Sequence, residues 1–218
     1  MDIKVDKHTV VVFDLDDTLY NELDFLKSAY KSIAEHLEPR NWTALYAYMF
    51  SLYRCGSNAF EFAARKYNTD IKVLIDMYRD HQPDIELFDG VISIFDAIKS
   101  KKGNIALITD GRSKTQRAKL KSLGIYDYFE EIIVSEEIGS EKPNINNYKA
   151  IENAISGTQY YYIADNLKKD FITPNVLGWK SIAIIDNGKN IHYEANRYIV
   201  NKHEPQEYIL SFSELNII

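Results

Sequence analysis

The sequence predicts an α/β protein: a Rossmann-like, doubly wound parallel sheet core with an all-helical domain inserted into it. Two observations predict the sheet and a third the insertion. Five short runs, residues 9–13, 104–108, 131–134, 160–164 and 180–185, are rich in Val, Ile or aromatic residues. None alternates polar with apolar, which is the mark of strands buried on both faces. Helical patterns lie between these runs, and strands alternating with helices build a doubly wound sheet. From about residue 21 to residue 82 the strand pattern disappears and only helical patterns follow one another.

Taken in order, the first run, TVVVF, leads into the loop DLDDTLY. Four apolar stripes at helical spacing come next. The first runs from Leu23 through Leu26, Tyr30, Ile33, Ala34 and Leu37 and stops at Pro39. Leu45, Tyr48, Met49 and Leu52 form the second, which ends before Gly56. The third is Phe60, Ala63, Ala64 and Tyr67, and the fourth is Ile71, Leu74, Ile75 and Tyr78, stopped by Pro83. This block, 21–82, reads as a small cap domain interrupting a core made of 1–20 and 83–218. Within the core, Val91, Ile94, Phe95 and Ile98 predict a helix with Gly103 as its stop. Ser113-x-x-Gln116 is a capping-box pattern opening a helix that closes at Gly124. A shorter helical pattern covers 146–155. In the tail, 208–210 reads as an edge strand, with Ser211-x-x-Glu214 starting a last helical turn.

Composition narrows the functional class. The 218 residues are 45% hydrophobic and 27% charged, ordinary for a globular enzyme. The net charge is -6, with no block of Lys and Arg to neutralise a phosphate backbone, so a nucleic-acid polymer is not the expected partner. A single cysteine, Cys55, allows no internal disulfide and fits a reducing cytoplasm. No segment approaches the roughly 20 apolar residues that span a bilayer, and no secretory leader opens the chain.

Ligands of open parallel sheets bind at the carboxyl ends of the strands. The first strand ends in Asp14, with Asp16 close behind. The second ends in Thr109, followed by Asp110 and Gly111. The third leads through Ser135 into a loop bearing Lys142 and Pro143, and the fourth ends in Asp165, with Asp170 five positions on. Carboxylates, a hydroxyl and an ammonium therefore converge on one rim from four strands. Clustered carboxylates repel one another unless a cation joins them. With no His or Cys cluster for a softer metal, a hard ion such as Mg²⁺ is the expected cofactor. Lys142 and Thr109 offer positive charge and a donor to phosphoryl oxygens, and Gly111 opens backbone N–H groups beside a helix start. Such a rim suits in-line phosphoryl transfer to an aspartate.

The runs FDLDDTLY, ITDG, SEKP and ADNLKKD, in this order, resemble the four motifs of the haloacid dehalogenase-like (HAD-like) phosphatase superfamily. The likeness covers nearly the whole chain, and the helical insertion resembles the cap of the β-phosphoglucomutase and phosphoglycolate phosphatase branch. The resemblance implies Asp14 as the nucleophile. It implies Asp16 as the acid that protonates the leaving oxygen and then as the base that activates water, its main-chain carbonyl also reaching the metal. Thr109 and Lys142 resemble the phosphate-binding residues, with Asp110 and Gly111 completing the substrate-binding turn, and Asp165 resembles the carboxylate metal ligand. Asp170 is placed further from the metal, and Thr18 supports the loop. Ala164 stands where members often carry Gly.

Each residue also has a plain structural use. Asp14 or Asp16 alone would serve as a turn or cap residue, Lys142 alone would be solvated, and Asp17 and the Asp110 side chain read as structural. The aromatic residues of the insertion read as its core, and Arg54 and Arg65 as solvated. The expected activity is hydrolysis of a small phosphate ester, of the sugar phosphate or nucleoside monophosphate class, with a phosphomutase or a non-catalytic phosphate-binding module as alternatives. Dehalogenation is disfavoured because Asp16 is present. A phosphonatase would need a desolvated Lys27 or Lys31.

Overall fold

The computed structural model of the chain describes residues 1–218. Its strands are β1 (Asp2–Ile3), β2 (Thr9–Phe13), β3 (Asn104–Thr109), β4 (Glu131–Val134), β5 (Gln159–Ala164), β6 (Lys180–Ile184), β7 (Glu207–Ile209) and β8 (Asn216–Ile217). The helices are α1 (Glu22–Leu37), α2 (Trp42–Arg54), α3 (Ala59–Tyr67), α4 (Ile71–Asp80), α5 (Val91–Ser100), α6 (Ser113–Ser122), α7 (Ser135–Ile138), α8 (Ile145–Ala154) and α9 (Ile172–Leu177). No helix is long and apolar enough to cross a membrane.

Six strands form one parallel sheet in the order β4-β3-β2-β5-β6-β7. The most apolar strand, β2, lies inside it, with Val12 opposite Ala106 on one side and Tyr162 on the other. All five of its residues are buried, as continuous Val and Phe require of a strand covered on both faces. On one face Val12, Tyr148, Tyr162, Phe171 and Trp179 share a core, and the Trp179 indole N–H reaches Glu152 Oε1 at 3.0 Å. Elsewhere Phe13 and Phe95 pack with ring centres 5.0 Å apart. The edge strand expected at 208–210 is the parallel strand β7. A second, two-stranded sheet, β1 with β8, joins the two chain ends and has no counterpart in the sequence patterns.

Two local expectations change. The Ser113-x-x-Gln116 capping box does not form: Arg112 is the N-cap, without a side-chain cap bond, and Ser113 Oγ donates to Glu137. Gly103 does more than stop α5. A Cβ there would lie 2.4 Å from Val5 Cγ1, so the position is held to glycine by a close approach.

The chain divides into two compact units, Met1–Glu22 with Glu86–Ile218, and Leu23–Ile85. The second is all helical. Leu26, Tyr30, Ile33, Leu45, Met49, Ala63 and Leu74 share its core. Asn58 caps α3 by accepting from Phe60 N and Glu61 N, and Asp70 caps α4 by accepting from Lys72 N. Most of its aromatic residues pack, with Tyr30, Phe60 and Tyr78 meeting edge to face, but Tyr48, expected in the second apolar stripe, is exposed. Arg54 and Arg65 are exposed, and Lys27 is paired with Asp24 at 2.9 Å.

Candidate active site

The carboxyl ends of β2, β3 and β5, with the loops that follow them, surround a cavity of about 100 Å³ lined by Asp14, Asp16, Thr109, Asp110 and Asp165 among others. At its floor Lys142 is almost fully enclosed. Its ammonium lies 2.6 Å from Asp14 Oδ1 and 2.7 Å from Asp170 Oδ1. Tyr162 Oη is 3.3 Å from both the Lys142 ammonium and Asp170. The Lys142–Pro143 peptide is cis. Carboxylate oxygens of Asp14, Asp165 and Asp170 lie within 4.8 Å of one another. The Thr18 hydroxyl spans two of these acids, 3.5 Å from Asp14 Oδ2 and from Asp165 Oδ1.

This floor is short of positive charge. Burial opposes the ionised form of Lys142, but Asp14, Asp170 and Asp110 outweigh it and hold the ammonium well above its ordinary value. One ammonium does not balance three carboxylates. Asp14 is pushed up to about 7, chiefly by burial, with Asp170 adding to the rise and Lys142 opposing it. Asp165 is driven well above the usual carboxylate range by burial, then by Asp14, Asp170 and Asp17. An all-oxygen donor set with excess negative charge is the chemistry a hard divalent cation requires. The residues therefore fit such an ion, with Asp14, Asp165 and Asp170 each offering a carboxylate oxygen.

The wall of the cavity is built differently. Asp16 Oδ1 accepts from Lys119 Nζ at 2.6 Å and from the Tyr20 hydroxyl, and its Oδ2 accepts from Gln116 Nε2 at 2.8 Å. Burial alone would raise the Asp16 carboxyl, yet Lys119 and these donors hold it below its usual value. Gln116 Nε2 also reaches Thr109 Oγ1 at 2.6 Å, tying the acid to the end of β3. Gly111 adopts φ +133, a region that favours glycine, and a Cβ there would press on the Gln116 side chain at 3.2 Å. Its N–H is held by Ser135 Oγ at 2.9 Å. The Asp110 carboxylate accepts from Lys142 N at 3.0 Å and Lys169 Nζ at 2.6 Å, which orders the Lys142 loop. Asp17 braces the loop that follows β2, accepting from Glu22 N at 2.8 Å and Ile191 N at 2.7 Å.

All the residues singled out at the strand ends thus meet at this rim. Asp170 stands closer than expected, in direct contact with Lys142 and inside the acid cluster. Pattern reading missed Lys119, because a polar residue on a polar helix reads as solvated, and gave Gln116 to a capping box instead of the site. The available signal was their i, i+3 spacing beside Leu120, which puts them on the buried side of α6. Asn190, whose amide donates to Asp165 Oδ2 at 2.9 Å, comes from the loop after β6 and carried no signal.

Similarities to known proteins follow this geometry. Residues 11–184 match the model of the haloacid dehalogenase-like hydrolase family. Glyceraldehyde 3-phosphate phosphatase of Methanocaldococcus jannaschii is 24% identical over 208 residues, 86% of this chain and 89% of that protein. Pyrimidine 5'-nucleotidase YjjG of Escherichia coli is 40% identical over 55 residues, 25% of this chain and 24% of that one. YfnB of Bacillus subtilis, solved bound to magnesium, superposes with a TM-score of 0.65 at 17% identity, covering 95% of this chain and 96% of that one. The family match takes in the sheet from β2 to β6 and every strand end that lines the cavity, and the chain belongs to the haloacid dehalogenase-like hydrolase family.

Proposed function

We propose that the protein is a cytosolic, Mg²⁺-dependent phosphomonoesterase that acts on a small phosphorylated sugar through an aspartyl-phosphate at Asp14. The observation that carries this reading is the floor: Asp14 Oδ1 against the enclosed Lys142 ammonium, with Asp165 and Asp170 in the same acid cluster. An Asp14 oxygen attacks phosphorus, and the ester P–O bond breaks with its electron pair leaving on the alcohol oxygen, which takes a proton from Asp16. Asp16, now a carboxylate, removes a proton from water. The resulting hydroxide attacks the phosphorus, the bond to Asp14 breaks, and inorganic phosphate is released. Lys142 and Thr109 hold phosphoryl oxygens; the Gly111 N–H, expected to be open to them, is taken by Ser135 Oγ and serves the turn instead. Asp14, Asp165 and the Asp16 carbonyl would hold a divalent cation, which would supply charge neutralisation for the phosphoryl oxygens.

The clamp on Asp16 bears on this sequence of steps. Three donors favour its ionised form, which suits water activation; the acid step needs the carboxyl protonated and turned from Lys119 toward the leaving oxygen. The cavity has room for only several water-sized groups, in keeping with a small substrate. The relative matched over most of the chain is named for a triose phosphate, whereas the nucleotidase likeness spans a quarter of it. Sugar phosphates are therefore the substrate class we favour over nucleoside monophosphates.

Release of p-nitrophenol from its phosphate ester should need added Mg²⁺ and stop with chelator. Asp14→Asn should lower it by at least about 10³-fold, since it removes the nucleophile. Wild-type release equal to that of Asp14→Asn, or undiminished by chelator, overturns the reading.

A further inference from the structure

Strand β6 lies beside β5 in the sheet, so the chain that leaves β6 starts next to the strand end that carries Asp165. It turns through Asp186-Asn187-Gly188. Asp186 Oδ1 accepts from Gly188 N at 2.7 Å and from Asn190 N at 3.1 Å, and Asn187 Oδ1 accepts from Lys189 N at 3.1 Å. Gly188 takes φ +87, which a side chain would resist. Two further bonds fasten this turn to the loop after β2. Asn187 Nδ2 donates to Asn21 Oδ1 at 2.8 Å, and Ile191 N donates to Asp17 Oδ2 at 2.7 Å. Asn190 stands between those anchors, and its side-chain amide donates to Asp165 Oδ2 at 2.9 Å.

That bond divides the Asp165 carboxylate. Oδ2 is taken by the amide, whereas Oδ1 shares the Thr18 hydroxyl with Asp14 Oδ2, at 3.5 Å each, the outer limit of a hydrogen bond. Oδ1 is therefore the oxygen left for an ion that Asp14 and Asp165 would share. Divalent ions differ in what they ask of such a carboxylate. Mg²⁺ demands near-octahedral geometry at about 2.0–2.1 Å, whereas Ca²⁺ takes about six to eight oxygens at longer range and often both from one carboxylate. A carboxylate with one oxygen held by an amide suits the first ion and obstructs the second.

We propose that Asn190 is a positioning residue that makes Asp165 a one-oxygen ligand and so selects Mg²⁺ over Ca²⁺ at this site. This rests on the phosphatase reading above for the presence of the ion, and adds which ion the site is shaped to hold and which residue shapes it. The four motifs end at Asp170 and assign no role to this loop.

The test measures Kd for Mg²⁺ and for Ca²⁺ without substrate, each from its displacement of bound Mn²⁺ followed by electron paramagnetic resonance. Asn190→Ala should raise Kd for Mg²⁺ by about tenfold or more, the usual cost of losing the partner of a metal ligand. It should leave Kd for Ca²⁺ within about threefold, since that ion gains the freed oxygen. Asn190→Leu, which keeps the volume without the amide, should do the same. Asn187→Ala frees the loop from Asn21 and does not touch the bond to Asp165, so it should keep the wild-type ratio of the two constants. Equal weakening of both ions in the Asn190 variants, or the same shift in Asn187→Ala, would make Asn190 a brace for the loop and overturn the proposal, as would no change in either constant. A wild type that binds no Mg²⁺ overturns it together with the phosphatase reading. Failure of the phosphatase reading alone has a different signature: Mg²⁺ binds, yet no ester including p-nitrophenyl phosphate is hydrolysed, and the two constants still decide the role of Asn190.

Discussion

Asp14 and Asp16 stand two residues apart on one loop, yet they sit in opposite electrostatic surroundings. Asp14 belongs to the floor, where three carboxylates share the one enclosed ammonium of Lys142 and two of the acids are pushed up. Asp16 belongs to the wall, where Lys119, Gln116 and Tyr20 all donate to a single carboxylate and hold it down. The floor is incomplete as a set of charges and the wall is complete. A continuing strand would put residues i and i+2 on one face; β2 ends at Phe13, and the loop beyond it gives Asp14 and Asp16 separate partners. A loop can thus supply one acid that needs an external cation and one that does not.

The sharpest test of that division compares the two lysines. Lys142→Met leaves Asp14 and Asp170 buried without their counter-charge and should cost about 3–5 kcal/mol of unfolding free energy. Lys119→Met removes one of three donors to Asp16, whose side chain is 18% exposed. Its cost should be smaller, about 1–3 kcal/mol. Urea unfolding measures both, and an equal or reversed order would erase the distinction between floor and wall.

A second test adds the cation. If the floor is completed by Mg²⁺, the ion stabilises the folded chain by mass action, by about 2.7 kcal/mol at a hundred times its Kd. Thermal melts should move upward with Mg²⁺ concentration in wild type and stay flat in Asp165→Asn. Lys119→Met should keep the wild-type response, because its lysine serves the wall. A shift preserved in Asp165→Asn would place the ion elsewhere.

The acids of floor and wall were legible in the sequence and the groups that pair Asp16 were not, for one physical reason. Asp14, Thr109 and Asp165 each terminate a continuous apolar run, and the topology of a parallel sheet brings such ends together whatever the details of packing. Lys142 was legible less directly, through its loop before Pro143. Lys119 and Gln116 lie on α6, SKTQRAKLKS, where charge dominates and periodicity cannot separate a buried lysine from a solvated one. The short sheet of β1 and β8 pairs Asp2 with Asn216. Two residues carry no period, so nothing local could announce it.

The smallest predicted effect lies on the same helix as Lys119, two residues away. Arg117 forks onto Glu137, with Nε 2.8 Å from Oε1 and Nη2 2.9 Å from Oε2. Both side chains are about one-third exposed, 31% and 33%, so water screens the pair and Glu137→Gln should cost under about 1 kcal/mol. The hydrogen bonds from Arg117 nevertheless lower the Glu137 carboxyl below its ordinary 4.5, with burial opposing and Ser113 assisting. A carboxyl lowered on folding contributes stability that is present in full above 4.5 and fades as pH falls through the folded value. The gap in Tm between wild type and Glu137→Gln should therefore be constant from neutral pH down to about 5 and narrow as pH falls further. A gap that widens on acidification would mean that Glu137 stabilises α6 through its protonated form. A gap as large as that of Lys119→Met would mean that exposure does not separate the two faces of this helix.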